Sequence, residues 1–214
     1  MSIVATFNGL NIIALPCDAV SSVAAPSLIE WDPQEMVAPS TAGFDYSQQI
    51  CDWSQSMLSG QVSLPPMKRL SADYWQAFLL EARGGVNAFL MGDPKASTPK
   101  GEPSGTPLVN GASQAGYTLA TRGWAASTSG LLLPGDYIQI GYRLYRVLVP
   151  VASDSSGDAS ISIWPNLRDA PADGTAIVTS NCKGLFRLTR ATGNKYSTNP
   201  GSYGFSGFGI REAL

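Results

Sequence analysis

The stretch Val62–Pro94, VSLPPMKRLSADYWQAFLLEARGGVNAFLMGDP, decides the fold. It holds a strand end, a double proline, a punctuated helix, a glycine pair and a second strand at Val86–Met91. Ser71 stands where an N-cap is expected, and Asp73 follows in the first turn, where the helix dipole favours a carboxylate. Arg83 falls in the last turn and Gly84-Gly85 offer a left-handed stop, so the spacing predicts a helix over 71–83. Trp75, Phe78, Leu79 and Ala82 recur at i, i+3, i+4 and i+7, which is one apolar helical face. A lone helix with such a face must lie against a sheet. Trp75, Phe78, Leu79 and, from the second strand, Phe89 are therefore the expected structural core.

Outward from this unit, the chain reads as mainly β with one α-helix. Before it lie strands at Leu28–Trp31, Gln48–Ser54 and Gln61–Leu64, joined by segments 32–43 and 56–60 that read as loops reaching away from the sheet. After it, residues 92–111 carry Pro94, Pro99, Pro103 and Pro107 among Gly, Ser and Lys, the composition of a linker. Short strands at close turn spacing follow: Tyr117–Thr121, Tyr137–Ile140, Arg143–Val149, Ser160–Trp164 and Ala176–Ser180. They predict a small antiparallel β-barrel over 111–182, inserted into a β-sandwich domain made of 1–110 and 183–214. Its expected core is Leu132, Ile138, Ile140, Leu144, Val147, Ile161, Ile163 and Ile177. Phe186 and the final aromatics, Tyr203, Phe205 and Phe208, are expected to return to the first domain as edge strands.

At 214 residues the chain can bury roughly 70% of its unfolded surface. Apolar residues make up 44% and charged residues only 14%, while 22 Gly and 15 Pro punctuate it. Its surface is thus rich in Ser and Thr, which lose less on desolvation than Lys or Glu and so suit contact with other subunits. Charge is segregated. The first 67 residues hold six acids (Asp18, Glu30, Asp32, Glu35, Asp45, Asp52) and no Lys or Arg, whereas the remainder sets all 14 basic residues against ten acids. The two parts therefore carry −6 and +4. Such a division suits head-to-tail contact between copies, or compensation within one chain. Net charge is −2 and no basic run exists, which argues against nucleic-acid binding. Cys17, Cys51 and Cys182 are odd in number and lack a CxxC pair, as expected of free thiols in a protein made inside a cell. The N-terminus has no positively charged leader, and no span approaches the ~20 apolar residues of a membrane helix.

The chemistry-bearing residues are few. Histidine is absent, which removes Ser-His-Asp and Cys-His catalysis and the HExxH zinc site together. No phosphate-binding GxxxxGK[ST] loop is present. Asp154 and Asp158 flank a Ser-Ser-Gly turn without the further acids of a calcium loop. Two carboxylates able to hydrolyse a glycan exist by number, but Asp32-Pro33, Asp93-Pro94, Gly135-Asp136 and Asp173-Gly174 are turn signals. No catalytic, metal or cofactor residue is expected. A second reading uses the aromatics Trp124, Tyr137, Tyr142 and Tyr145 as a glycan-contacting platform of a carbohydrate-binding or host-adhesion module; core packing is the alternative for the same rings.

The order of motifs resembles a family of bacteriophage distal-tail or tail-tip proteins of long, non-contractile tails. The resemblance covers about residues 45–190. It rests on Trp53 before Val62-x-Leu64-Pro65-Pro66-Met67, on Ala72, Trp75 and Ala77-Phe78-Leu79 in the helix, and on Gly84, Asn87, Phe89-Leu90 and Gly92-Asp93-Pro94. Gly123–Ser127, Leu132–Gly141, Arg143–Val147, Trp164–Arg168 and Phe186–Leu188 continue it. It implies a virion structural protein that forms a ring, commonly of six copies, between the tail tube and the hub and fibres. A tube-like β-domain carrying one helix would be paired with a peripheral β-barrel. It implies a homo-oligomer contacting tube, hub and fibre proteins, made in the bacterial cytoplasm, with no cofactor, membrane insertion or catalytic residue. Residues 1–44 and those beyond Arg190 match less of the pattern.

Overall fold

The computed structural model describes residues 3–189, 196–199 and 201–213. In chain order the elements are β1 (Ile3–Phe7), β2 (Leu10–Ile13), a single helical turn α1 (Pro16–Ala19), β3 (Leu28–Thr41), β4 (Gln48–Ser63), α2 (Arg69–Glu81) and β5 (Ala88–Met91). Then come β6 (Gly105–Val109), β7 (Thr118–Trp124), β8 (Ser129–Leu132), β9 (Tyr137–Ile140), β10 (Arg143–Val147), β11 (Val151–Ala152), β12 (Ala159–Trp164) and β13 (Ile177–Val178). The chain finishes with β14 (Gly184–Leu188), β15 (Tyr196–Thr198), β16 (Tyr203–Phe205) and β17 (Phe208–Glu212). The fold is mainly β with one helix of length.

These elements form two compact units, Met1–Asp32 with Leu58–Asp93 and Lys183–Leu214, and Pro33–Met57 with Pro94–Cys182. The second unit is therefore larger than the predicted insertion over 111–182. Residues 94–110 are part of it because β6 pairs with β7, and because Asp136 accepts hydrogen bonds from the backbone amides of Lys100 (2.7 Å) and Gly101 (3.0 Å). Of the range 183–214 assigned to the first domain, residues 190–195, 200 and 214 lie outside the described ones.

In the first unit a seven-stranded sheet runs β1-β2-β5-β14-β17-β4-β3. β2 joins β5 in parallel, with Ile13 opposite Phe89; β14 is antiparallel to both β5 and β17. One face carries Ile13, Phe89, Phe186, Leu188, Ile210, Phe208 and Val62, a set fixed by the pairings Phe186↔Phe89, Leu188↔Ile210 and Phe208↔Val62. Against this face α2 buries Ala72, Trp75, Phe78 and Leu79. Phe78 lies edge-on to Phe89 with ring centroids 5.2 Å apart, and Trp75 is 6.0 Å from Phe208. Gly60 has no side chain for a steric reason: a Cβ there would stand 2.5 Å from the carbonyl oxygen of Glu30 on the adjacent strand. Phe208 and Ile210 reach the centre of the sheet, between β14 and β4, rather than its edge as expected. Tyr203 and Phe205 instead form the small β15–β16 hairpin.

The helix starts earlier than predicted. Lys68 occupies the N-cap position with extended backbone and no side-chain cap, and no acid lies in the first turn. Met67 is tied to Tyr203 by reciprocal backbone bonds of 3.0 and 2.9 Å, so the helix begins immediately after this anchor. Ser71 does not cap; its hydroxyl accepts a long bond from the amide of Ala24, at 3.4 Å. The C-terminal stop is left-handed, with φ of 47° at Arg83 and 63° at Gly84. The following strand starts at Ala88, since Val86 still has helical backbone angles.

In the second unit a six-stranded sheet runs β13-β9-β10-β12-β7-β6 and is nearly closed into a barrel. Closure comes from a bridge between Leu108 and Ala176, and from Val109 and the 174–175 segment, whose amides and carbonyls pair at 2.9 and 3.0 Å. The interior holds Val109, Leu119, Trp124, Leu131, Leu132, Ile138, Ile140, Tyr145, Val147, Ile161, Ile163 and Ile177. Leu144 was expected among them and is not. It is buried, but the register Leu144↔Gln139 and Tyr145↔Ile138 turns Tyr145 inward and Leu144 to the opposite face.

Candidate interaction surface

The predicted loops 32–43 and 56–60 are strand instead. β3 and β4 are neighbours and the longest strands of the chain, continuing through both segments as one hairpin. Pro33 and Pro39 are tolerated because β3 is the sheet's edge strand, where a missing N–H faces outward. Residues 33–57 form the part of this hairpin that belongs to the second unit. Its tip is a turn in which Ala42 donates to Ser47 O (2.9 Å) and Tyr46 donates to Ala42 O (3.1 Å). Within the turn, Asp45 accepts the amide (3.0 Å) and hydroxyl (2.8 Å) of Ser47. These two bonds hold its carboxyl below the usual carboxylate range.

The arm carries exposed apolar side chains. Phe44 is fully exposed, Tyr46 is 82% exposed, and Met36, Val37, Ile50 and Trp53 are all exposed. Its charges are Glu35, Asp45 and Asp52, with no Lys or Arg. Polar bonds near Glu35 and Ser56 attach it to the barrel. The Trp164 indole N–H donates to Glu35, and Arg168 donates to the carbonyl of Ser56. The Ser56 hydroxyl, itself buried, donates to Asn166 Oδ1 at 3.2 Å. Tyr117 lies in the same group: partial burial, with the Glu35 and Asp52 carboxylates beside it, raises its phenol above the ordinary value.

A second apolar exposure lies on α2. Leu70 and Leu80 project from the side opposite Trp75, Phe78 and Leu79; both are exposed, Leu80 at 78%, as is Val86 just beyond the helix. Lys68 and Arg83 stand exposed at its two ends, and Arg69 pairs with Asp73 at 3.5 Å.

The rings considered for a glycan platform do not form one. Trp124, Tyr137 and Tyr145 are buried, Tyr145 at 2% exposure, and only Tyr142 keeps partial access. The Trp124 indole donates to Thr121 Oγ1 (2.8 Å), and the guanidinium of Arg146 sits 5.4 Å over the Tyr137 ring. Trp75, Phe78, Leu79 and Phe89 are buried in the helix–sheet contact.

Three of the acids are taken up by turns. Asp136 is buried and accepts three backbone amides, those of Lys100, Gly101 and, at 2.8 Å, Leu133. Asp154 accepts the amides of Ser156 (2.8 Å) and Asp158 (2.9 Å). Asp173 accepts the amide of Gly111 (2.7 Å) and pairs with Arg122 (3.1 Å). Among the described residues no three His, Cys, Asp or Glu side chains come together as a metal site. Burial pushes the Cys182 thiol up to about 12, far from a reactive thiolate. Sequence reasoning missed the arm, although its signal was present: residues 28–63 carry no cation, and Trp31, Pro33 and Glu35 alternate with acids and polar groups across the presumed loop. No protein-family model matches the chain, and no curated protein matches its sequence.

Proposed function

We propose that this protein is a non-enzymatic structural component of a phage tail tip, forming an oligomeric ring, probed first as a hexamer, that joins the tail tube to the hub and fibres. One observation carries the reading: the hairpin arm 33–57 projects Phe44, Tyr46, Met36, Val37 and Ile50 into solvent. Apolar exposure of that extent on one element marks a surface that another protein covers. The resemblance of residues 45–190 to distal-tail proteins supports the same assignment, as does the uncharged surface implied by 14% charged residues. Neither the carbohydrate-binding nor the hydrolase reading gains a supporting observation: Trp124 and Tyr145 face the barrel interior, Tyr137 is buried beneath Arg146, and Asp136, Asp154 and Asp173 serve turns.

The test is the mass of the full chain, alone and mixed with tail-tube, hub and fibre proteins, together with electron microscopy of the mixtures. Rings, and incorporation between tube and hub, are the expected result. A chain that stays monomeric in every mixture overturns the reading.

A further inference from the structure

We propose that the arm tip of one copy docks on the outer face of α2 of a second copy. This inference rests on the ring reading and names the surfaces that would meet in it. Two exposed apolar surfaces exist, and their chemistry is complementary. On α2, Leu70 and Leu80 lie open to solvent between Lys68 and Arg83, and Val86 is exposed just beyond the helix. Neither cation makes an ion pair among the described residues. On the arm, Phe44, Tyr46 and Ile50 are exposed, and among them stands Asp45, whose carboxylate accepts the Ser47 amide and hydroxyl.

Each surface meets the requirements of the other: an apolar centre, with only acids around the arm and, around the helix, the cations Lys68, Arg69 and Arg83 outnumbering Asp73, which Arg69 pairs, and Glu81. Interfaces with a desolvated aromatic anchor and a polar rim have this arrangement. The opposite signs also discourage arm–arm and helix–helix pairing, in which like charges would meet. The contact is heterologous, because the two surfaces differ. Every copy offers one arm and one helix face, so the contact propagates until a rotation closes it into a ring, or runs on as a filament.

The experiment measures the mass distribution of the full chain against concentration, by mass photometry and sedimentation, for wild type, Phe44→Asp, Leu80→Asp, Asp45→Lys, Arg83→Glu and the Asp45→Lys/Arg83→Glu double variant. All changed side chains are exposed, and unchanged melting temperatures verify that each variant folds. Phe44→Asp and Leu80→Asp should each abolish the oligomer. The two single charge reversals should each weaken assembly about tenfold, with the double variant restoring most of that loss. Oligomers that persist in both apolar variants overturn the contact and leave the ring reading standing. A closed dimer abolished by both variants supports the contact, as reciprocal arm exchange, and overturns the ring. A wild-type chain monomeric at every concentration overturns the contact; the ring reading is then decided separately by the mixtures with tail proteins.

Discussion

The indole N–H of Trp75 donates to the carbonyl oxygen of Ala24 at 2.9 Å, while the same ring lies edge-on to Phe78 at 5.7 Å. One side chain thus fixes the helix to the sheet-facing core and fastens the segment between α1 and β3 over it.

Truncation of that ring removes both functions. Trp75→Ala should cost about 3–5 kcal/mol, as for other large buried aromatics. Trp75→Phe keeps much of the packing and leaves the Ala24 carbonyl without its donor, for about 1–2 kcal/mol. Urea denaturation of the two variants measures both terms; a Trp75→Phe variant as stable as wild type would mean that the hydrogen bond contributes nothing.

Asp136 should matter as much as a core residue. Asp136→Ala leaves three backbone amides, those of Lys100, Gly101 and Leu133, without their acceptor inside a largely buried site. A loss of about 2–4 kcal/mol is expected. Amide exchange at Lys100 and Gly101 should accelerate together with it.

A fragment test follows from the barrel closure. Residues 94–182 include β6, the strand that meets β13, and the amides that Asp136 binds, so this fragment should give dispersed amide spectra and a cooperative melt. Residues 111–182 lack both and should not. If the shorter fragment melts as sharply as the longer one, β6 is dispensable.

Acid should weaken the turns. The Gly111 amide, then Arg122, lowers the Asp173 carboxyl below its ordinary 3.8, and the Asp158 and Ser156 amides lower that of Asp154. A carboxyl lowered in the folded state binds its proton more weakly there than in the unfolded chain. Its contribution is present in full above the unfolded value and disappears as pH falls through the lowered folded one. Melting temperature should therefore fall from about pH 5 downward, and Asp173→Asn should flatten that slope. An unchanged slope in this variant would remove Asp173 from the explanation.

Thiol labelling should separate the three cysteines. Cys51 is exposed, whereas burial raises both Cys17 and Cys182, the latter to about 12. At pH 8 a disulfide reagent should modify Cys51 rapidly and Cys182 only after denaturant is added. Peptide mapping of the labelled sites reads this directly.

The helix face was legible because a 3.6-residue period survives any choice of caps: Trp75, Phe78, Leu79 and Ala82 are buried. Its start was not, since the Met67–Tyr203 bridge that sets it joins residues far apart in sequence. Strand length in the arm was hidden by Pro33 and Pro39, which read as breakers until β3 is known to be an edge. In β10 the residues from Arg143 to Tyr145 are all buried, so alternation does not tell inside from outside. Only pairing with β9 decides that Tyr145, and not Leu144, enters the core. The interaction surface was half legible: its charge appeared in the composition, but its protrusion depended on that unread hairpin.

The position of β17 imposes an order on synthesis. Residues 208–212 fill the gap between β14 and β4, so Val62 waits for Phe208 before it has a neighbour on that side. By contrast, the strands of the six-stranded barrel all lie within residues 105–178 and are complete well before that. The strands of the barrel are thus all synthesised while the sheet of the first unit still lacks the strand that joins β14 to β4. Pairing over so long a separation is slow, and the interval is when unpaired strand edges aggregate. Recombinant yield should accordingly depend more on chaperone supply and temperature after residue 182 emerges than on anything in the barrel itself.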